Sequence, residues 1–367
     1  MPTFIPALDL AESYYRELIR PLLDEYFPGL PHAAALIGYG SEVLGFDTPM
    51  SMDHCWAPRM QLFLPESVDE MADGIDQLLR QKLRSSYRGF SLGTKPSLDE
   101  PGTFFMDEKS VEGQVAHAVQ ISSLKSFILE EMNWDLDTPL DAADWLTFPS
   151  QLLRVITSGR VFEDTTGELE SLRRKLSWYP QDAWIYLLAA GWDRISQEDA
   201  LMQRAGYVGD ELGSALMGSR LARDIMSLCF LMEKTYAPYP KWFGSGFKQL
   251  TCADNFLPVL WRIQTAETWE TRAAALGDAC VLLAKMHNRL GLTTPVPEET
   301  SAFHDRPFQV IHAEEISKAL LLSINDLVCK RIAEKGALGG LDHISDNTLL
   351  RANPGYRLQL KQLYESG

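Results

Sequence analysis

The order of apolar and polar positions in the first third of the chain predicts a small sheet with helices around it. Apolar residues recur at helical spacing over residues 8–26. Two short apolar runs, AAALIG (33–38) and MQLFL (60–64), predict buried strands, and VAHAVQISSL (115–124), rich in β-branched residues, predicts a third. Residues 67–86 return to helical spacing. We therefore expect a mixed sheet flanked by helices.

The pattern changes near residue 139, and from there most apolar segments have the period of an α-helix. Breakers separate these segments, including the proline-containing stretches at 237–242 and 293–297. This arrangement predicts an α+β protein. A domain at 1–138 carries the mixed sheet, and an all-α helical bundle at 139–367 follows it.

The net charge and composition of the chain limit the classes of partner that it can bind. The chain has 367 residues and a formal net charge of −16, which repels phosphate backbones and argues against a long nucleic-acid partner. A local basic pocket for a small phosphate ligand remains compatible with this charge. The five cysteines are scattered without CxxC spacing, so neither a disulfide framework nor a structural zinc site is expected. The N-terminal segment lacks a signal-peptide pattern and no apolar run is long enough to span a bilayer, so we expect a cytoplasmic protein with a small-molecule ligand and no membrane partner.

The stretch from Gly38 to Arg59 carries the candidate chemistry. A predicted strand runs into Gly40-Ser41, where a turn can present backbone N–H groups to the phosphates of a nucleotide. Asp53 follows shortly before the next predicted strand, and a carboxylate there can hold magnesium, which neutralises charge during phosphoryl transfer. Arg59 can reach a phosphate or pair with a carboxylate. The structural alternatives are an ordinary turn at Gly40-Ser41 and a capping role for Asp53.

The order of Gly-Ser, carboxylates on the next strand and a third carboxylate on a neighbouring strand resembles the nucleotidyltransferase superfamily that includes DNA polymerase beta. The chain resembles more closely the domain-of-unknown-function family 4037, over nearly its whole length. The segments that carry this resemblance are 38–64, 159–192, 205–247 and 287–311. The resemblance implies a nucleotidyltransferase-like mixed sheet followed by a helical domain. It also implies transfer of a nucleoside monophosphate from ATP or another nucleoside triphosphate, with magnesium.

The metal-binding part of the signature departs from the family. The family pattern reads Ser-x-Asp-His-Asp-Trp-Gly-Pro-Arg, whereas this chain has SMDHCWAPR at 51–59. Cys55 therefore stands where the resemblance places the second metal carboxylate, and Gln120 stands where it places the third. One carboxylate holds magnesium weakly, and a thiol is a poor ligand for a hard cation. Glu42 and Asp47, in the same loop, could supply a replacement oxygen.

Cys55 and His54 have alternative interpretations. Cys55 could act as a nucleophile with His117 as its base, although free cysteines are usually small buried hydrophobes. His54 is adjacent to Asp53, so on a strand it would face the other way, and it is expected to pack as a structural histidine. The sequence thus predicts Asp53 as the metal ligand and keeps Cys55 as a further catalytic candidate.

One predicted helix of the second domain carries Arg220, Arg223 and Asp224. Arg220 and Arg223 share a face, where two like charges favour an anion, and the resemblance implies that they meet the nucleotide. The alternative is a surface pair between Arg220 and Asp224, four residues apart. Asp210 and Glu211 begin the same helix. Related antibiotic nucleotidyltransferases use a carboxylate of the helical domain as a general base, whereas helix capping explains both residues without catalysis.

Aromatic residues are frequent in the helical part. Lys241 and Trp242 follow a proline-containing turn, where they could stack a base or a substrate ring, or fill a buried corner between helices. Lys241 is therefore a candidate nucleotide-binding residue. Trp178, Trp184 and Trp192 are expected in the core.

Three hypotheses of function follow. In the first, the protein transfers a nucleoside monophosphate to a small hydroxylated acceptor in the cleft between the domains, with Asp53 on magnesium and Gly40 and Ser41 on the triphosphate. In the second, it keeps the fold and binds a nucleotide or another small ligand without transfer, and Cys55 and Gln120 favour this hypothesis. In the third, it is a repurposed enzyme of a secondary-metabolite pathway that uses Cys55 or a histidine.

Overall fold

The structure is a computed structural model that describes residues 2–54, 56–96, 98–99, 104–106 and 117–365. The α-helices, in chain order, are α1 (Ala7–Tyr14), α2 (Arg20–Tyr26), α3 (Ala72–Lys82), α4 (Leu124–Met132), α5 (Ala142–Thr147), α6 (Ser150–Thr157), α7 (Glu168–Lys175), α8 (Gln181–Tyr207), α9 (Glu211–Met232), α10 (Phe243–Phe247), α11 (Ala253–Thr265), α12 (Trp269–Leu290), α13 (Ala313–Ser323), α14 (Leu327–Ala333), α15 (Leu341–Ile344), α16 (Thr348–Ala352) and α17 (Arg357–Glu365).

The strands are short. In chain order they are β1 (Ala33–Leu36), β2 (Met60–Leu64), β3 (Ser86–Tyr87), β4 (Phe90–Ser91), β5 (Thr94–Pro96), β6 (Phe104–Met106), β7 (Val119–Ser123), β8 (Arg160–Asp164), β9 (Ser301–Ala302) and β10 (Gln309–Val310). Turns of 3₁₀ helix lie at Pro49–Asp53, Glu66–Met71, Pro240–Trp242 and Pro354–Tyr356, and a π-helical turn at Tyr15–Ile19 joins α1 to α2.

The chain divides into two compact units. The first contains residues 1–138 and 152–177, and the second contains residues 139–151 and 178–367. The sequence analysis assigned 152–177 to the helical domain, whereas this segment includes β8 and belongs to the first unit. The division of the chain into folding domains at 138 and 139 remains a prediction.

The first unit is built on a four-stranded mixed sheet in the order β7-β2-β1-β8. β1 is antiparallel to both of its neighbours, whereas β2 and β7 are parallel, with Gln61 opposite Gln120. Every residue of β1 and β2 is buried, as expected for apolar strands that are covered on both faces. The strand predicted at 60–64 is confirmed with the same bounds, and those predicted at 33–38 and 115–124 form as β1 and β7.

A polar cluster fixes β8 beside the first helices. The hydroxyl of Tyr15 donates a hydrogen bond to the carboxylate of Glu163 in β8 and lies 2.8 Å from Nε2 of His32. Arg20 pairs with the same carboxylate. Burial and the neighbouring carboxylate raise the pKa of Tyr15, so its hydroxyl keeps the proton that it donates. The short sequence of β8 is polar at most positions, so these tertiary partners hold it in place.

The second unit is arranged around the helix pair α8 and α9, with α12 and α13 against α8 and α11 against α9 and α12. Trp184 and Trp192 of α8 are buried in its core, as predicted, whereas Trp178 precedes the helix and is half-buried. The predicted all-α bundle needs one correction, because β9 and β10 form a two-stranded ribbon. The α+β class, with an N-terminal mixed sheet and C-terminal helices, is confirmed. Among the described residues, no helix has the length and apolar composition needed to cross a membrane.

One buried carboxyl group of α8 makes the stability of the second unit depend on pH. Asp199 is 4% exposed, and its Oδ1 accepts a hydrogen bond of 3.0 Å from Nε2 of Gln203. Burial raises the pKa of Asp199 to about 7 from an ordinary value of 3.8. The folded state therefore holds this proton more tightly than the unfolded state, so folding weakens as the pH rises through this interval.

We predict that Asp199→Asn stabilises the protein at alkaline pH, because it removes the buried charge and keeps the shape of the side chain. The free energy of unfolding should exceed that of the wild type by about 2–4 kcal/mol near pH 8, and the two should converge near pH 4. Urea unfolding at both pH values measures this difference. The exposed residue Asp305 provides the control, since Asp305→Asn should leave stability unchanged at either pH. Equal stability of Asp199→Asn and wild type at alkaline pH would contradict the assignment.

Candidate functional site

The loop after β1 is a compact turn in the first unit. Gly38 and Gly40 both have positive φ, at 84° and 152°. The backbone N–H of Phe46 donates to the carbonyl of Ser41 at 2.8 Å, and that of Gly45 donates to the carbonyl of Glu42 at 3.0 Å. The predicted Gly40-Ser41 turn therefore forms, and the chain closes on itself directly after it.

The side chain of Glu42 occupies the space above Gly40. It is 3% exposed, and a Cβ at Gly40 would lie 2.4 Å from its Oε1, so only glycine fits there. Arg59 donates from Nε at 3.0 Å and from Nη2 at 2.5 Å to the same Oε1, and Nη2 also donates to the carbonyl of Tyr39 at 2.6 Å. Of its two predicted roles, Arg59 thus adopts pairing with a carboxylate. The anion bound in this loop is therefore the carboxylate of Glu42, which belongs to the same chain.

Asp53 precedes β2, as the sequence predicts, and its place on a strand, which the resemblance implies, is wrong. It ends the 3₁₀ turn Pro49–Asp53, which is capped by Thr48 and Ser51, with the N–H of Thr48 donating to Oγ of Ser51 at 3.0 Å. The expected opposite orientation of His54 is also wrong, because its Nδ1 lies 2.8 Å from Oδ1 of Asp53. Both side chains are exposed, at 59% for Asp53 and 49% for His54. Pro49 and the capping residues thus hold Asp53 in a 3₁₀ turn.

The described residues around Asp53 do not fit magnesium. Glu42, one of the two carboxylates that could replace the missing ligand, is held by Arg59. Asp47, the other, accepts a hydrogen bond of 2.8 Å from the backbone N–H of Ala7 at the start of α1. In the described parts of the chain, no group of three His, Cys, Asp or Glu side chains could hold a metal ion. A single exposed carboxylate paired with a histidine is a poor site for a cation that needs several oxygen ligands.

Gln120, His117 and Cys55 are the remaining residues of the predicted metal site and of the predicted nucleophile with its base. Gln120 is exposed on β7, and its neighbour Gln61 hydrogen-bonds the backbone N–H and carbonyl of Ile37 at 3.1 and 3.2 Å. His117, the proposed base for Cys55, is buried, and its Nε2 lies 3.2 Å from Oδ1 of Asp76. Burial lowers the pKa of His117. Cys55 itself lies outside the described residues, so its nucleophile role stays a prediction.

The charged residues of α9 each have a different carboxylate or guanidinium partner. The alternative pair between Arg220 and Asp224 does not form, because Arg220 pairs with Glu198 at 2.6 Å and Asp224 pairs with Arg194 at 3.2 Å. Both partners lie on α8, since helix packing brings them closer than the next turn of α9 does. Arg223 pairs with Asp346 at 3.0 Å. The joint anion site of Arg220 and Arg223 therefore stays a prediction, with each residue engaged separately.

Glu211 lies at the junction of α9 and α12. Its Oε1 accepts the backbone N–H of Trp269 at 3.0 Å, and its Oε2 lies 3.1 Å from Nη1 of the buried Arg272. Asp210 caps α9 by accepting the N–H of Gly213 at 2.8 Å. Capping and ion pairing, the alternative to a general base, account for both carboxylates.

Lys241 contacts an aromatic ring of its own segment. Its Nζ lies 5.1 Å from the ring centroid of Trp242, whose Nε1 donates to the hydroxyl of Tyr239 at 2.9 Å. Lys241 does not line the cavity described below, although its neighbours Pro240 and Phe243 do. Its nucleotide-binding role stays a prediction.

The second unit contains a cavity of about 480 Å³, a volume within the range of small-molecule sites. Its wall is rich in aromatic side chains, which are Trp145, Phe148, Trp178, Tyr179, Phe230, Tyr236 and Phe243. Its charged side chains are Arg223, Asp224, Asp342, Asp346 and Arg351. The same unit thus combines a large apolar surface with a few placed polar groups, which is the usual composition of a ligand site.

The aromatic wall is built from rings that contact one another. The ring centroids of Trp178 and Tyr236 are 4.7 Å apart with their planes at 33°, and Tyr179 meets both at 5.1 Å. Trp145 contacts Tyr179 edge to face at 6.0 Å. Burial raises the pKa of Tyr179 and Tyr236, so both hydroxyls are neutral. Such packing fixes the rings before a ligand arrives.

The part of the lining at residues 340–351 is held by ion pairs. Asp342 accepts the backbone N–H of Ser150 at 2.7 Å and a hydrogen bond from Nη2 of Arg351 at 2.5 Å. Arg351 is only 7% exposed in this pair. Arg194, behind the wall, holds Asp224 and donates to the carbonyl of His343 at 3.5 Å. These contacts join residues 340–351 to the helices that carry the aromatic rings.

This cavity was not predicted from the sequence. Trp178 was expected in the core, and Tyr179, Tyr236, Asp342 and His343 were not among the candidate residues. The cavity residues come from separate segments spread between positions 145 and 351, so no local spacing marks them. The local signal in the sequence for this part of the cavity was the glycine pair at 339–340, because a glycine pair between helices often marks close approach of the backbone.

The comparisons with known proteins concern the segment that forms most of this cavity. Residues 145–243 match the model of the family described as Domain of unknown function (DUF4037), so the resemblance predicted from the sequence is confirmed over that segment. The search of curated proteins found no match. The chain is similar to the crystal structure of a nucleotidyltransferase-like protein from Exiguobacterium sibiricum 255-15, with 9% identity and a TM-score of 0.33, covering 95% of this chain and 89% of that one. A likeness of this strength carries no argument about function.

We predict that Arg59→Gln destabilises the first unit strongly, because it leaves the buried carboxylate of Glu42 without its partner. The loss in the free energy of unfolding should be about 3–5 kcal/mol, as for other buried pairs broken on one side. The matched control is Arg88→Gln, which breaks an ion pair with Glu17 that is about half exposed and should cost less than about 1 kcal/mol. Chemical unfolding of both variants measures the difference. Equal losses would mean that Arg59 is free for another role.

Proposed function

We propose that this protein binds a small ligand in the cavity of its second unit and does not transfer nucleotidyl groups through Asp53. The observation that carries the proposal is the cavity of about 480 Å³, with an aromatic wall and charged side chains already placed by ion pairs. A site formed in advance loses little order on binding, which favours affinity. Of the hypotheses raised by the sequence, this is the one of a binding protein that keeps the fold.

The family match supports the same location. The matched segment runs from residue 145 to 243, and the cavity residues from Trp145 to Phe243 fall within it. The remaining cavity residues, from Gly340 to Arg351, complete the wall from the C-terminal part of the chain. The part of the chain that is similar to other members of the family is therefore also the part that supplies most of the ligand surface.

The carboxylates near Asp53 support the part of the proposal that excludes nucleotidyl transfer through Asp53. Metal-assisted nucleotidyl transfer requires carboxylates that hold magnesium against the triphosphate. In the described residues, Glu42 and Asp47 are engaged by Arg59 and by the N–H of Ala7. With Cys55 in place of a second carboxylate, no step of the transfer reaction is assigned to this loop.

The cavity is tested by filling it. Ser227 and Ser219 lie two turns apart on α9, and each hydroxyl donates to the carbonyl four residues earlier, but only Ser227 lines the cavity. We predict that Ser227→Phe abolishes binding of an aromatic probe such as 2-naphthoate, measured by titration calorimetry, because the new ring occupies the space of the ligand. Ser219→Phe, on an exposed part of the same helix, should bind the probe as the wild type does.

Two results would contradict the proposal. One is an affinity for the probe that is the same in Ser227→Phe as in Ser219→Phe, because the probe would then bind outside the cavity. The other is formation of a labelled product from ATP, magnesium and a metabolite pool, with the product lost in Asp53→Ala. That outcome would restore the transfer hypothesis and its metal ligand.

A further inference from the structure

We infer that the ligand of the cavity is a planar aromatic carboxylate with a single negative charge. Its ring lies against the aromatic wall, and its carboxylate is bound by the guanidinium of Arg223 and the Nε2–H of His343. This inference rests on the proposed function, since it names the class of ligand for the same cavity.

The first observation is the fixed tautomer of His343. The backbone N–H of Gly340 donates to its Nδ1 at 3.3 Å, so Nδ1 is the acceptor and the ring proton is on Nε2. The ring rests on Gly339, whose φ is 82° and where a Cβ would lie 2.6 Å from Cγ of His343. Burial lowers the pKa of His343, so the ring is a neutral donor. No described residue accepts a hydrogen bond from Nε2, and His343 lines the cavity.

The second observation is that Arg223 is the cavity cation with the weakest hold on its partner. Arg223 uses one of its N–H groups, on Asp346, and the two side chains are 45% and 73% exposed. An exposed pair of this kind contributes little to stability, so a ligand can replace Asp346. Arg351, by contrast, is 7% exposed and paired with Asp342, which keeps it in place.

The two donors lie on the same part of the wall. Arg223 is bound to Asp346, three residues after His343. Arg194 joins Asp224, the neighbour of Arg223, to the carbonyl of His343. A carboxylate has two oxygens, so it can accept from a guanidinium and from an imidazole N–H together.

The charged side chains that line the cavity favour a ligand with one negative charge. Asp224, Asp342 and Asp346 line the cavity, and each is balanced by an arginine. A ligand carboxylate that displaces Asp346 from Arg223 keeps this balance inside the cavity. A phosphate dianion or a triphosphate would add negative charge beside Asp224 and Asp342. A cation would have to compete with arginines that already hold those carboxylates.

The experiment compares four probes by titration calorimetry with the full-length protein near pH 7. They are 2-naphthoate, its neutral analogue 2-naphthamide, the cationic 2-naphthylmethylamine and adenosine monophosphate. We expect the naphthoate to bind at least about tenfold more tightly than each of the other three, because only it satisfies a charge-assisted hydrogen bond without excess charge.

Variants then locate the carboxylate. Arg223→Gln should weaken the naphthoate about tenfold and leave the amide unchanged. Asp346→Asn should strengthen the naphthoate, because it removes the internal competitor for Arg223. The matched control is Arg220→Gln, on the same helix but paired with Glu198 and outside the cavity, which should bind as the wild type does.

The outcomes separate the inference from the proposed function. Equal or tighter binding of the amide, the amine or the nucleotide would overturn the carboxylate while leaving the cavity as the ligand site. An unchanged affinity in Arg223→Gln would do the same. Failure of all four probes to bind would overturn the inference together with the cavity itself.

Discussion

The carboxylate of Asp342 holds the cavity of the second unit together. It receives the N–H of Ser150, at the first residue of α6, and the guanidinium of Arg351 in α16. Two stretches that are distant in the sequence, at Ser150 and at residues 342–351, therefore meet at one partly buried anion. A buried arginine and its carboxylate are costly to separate, because either charge would be left without compensation. This pair, with the hydrogen bond from Ser150, fixes residues 342–351 of the cavity lining to the start of α6.

The two candidate sites use their charges in opposite ways. In the first unit, the side chain of Glu42 lies against Gly40 and pairs with the guanidinium of Arg59. The loop that resembles a phosphate-binding loop therefore binds a carboxylate of its own chain. In the second unit, the ion pairs of Asp342 and Asp346 lie in the lining of a cavity of about 480 Å³. Arg223 and His343 still have donors that face no acceptor of the described chain. A ligand therefore gains more from the second arrangement than from the first.

Local pattern predicted the local elements well. The strand at 60–64 and the helices of the second unit follow from apolar spacing, and Trp184 and Trp192 are buried as expected. β8 was missed because its mostly polar sequence is held by Tyr15 and Arg20 from the first helices. Asp53 lies before β2 and not on a strand, because Pro49 and its capping residues form a 3₁₀ turn.

The candidate site was harder to predict than the fold, for a physical reason. Motifs mark residues that act from one stretch of chain, whereas the cavity joins Trp178 and Tyr236 to His343 across long separations. The partners of charged residues also depend on helix packing, which sets Arg220 against Glu198 on α8 and not against Asp224 on its own helix. The family match over 145–243 covers most of the residues that line the cavity, and it names no ligand.

The central claim is that the ligand site is the cavity of the second unit. The most direct test is a crystal structure of the protein with 6-bromo-2-naphthoate, in which anomalous scattering locates the bromine. The account predicts one anomalous peak inside the cavity beside Trp178 and Tyr236, with the carboxylate of the probe against Arg223. A peak in the loop between Gly40 and Arg59, or none in the cavity of fully ordered crystals, would contradict it.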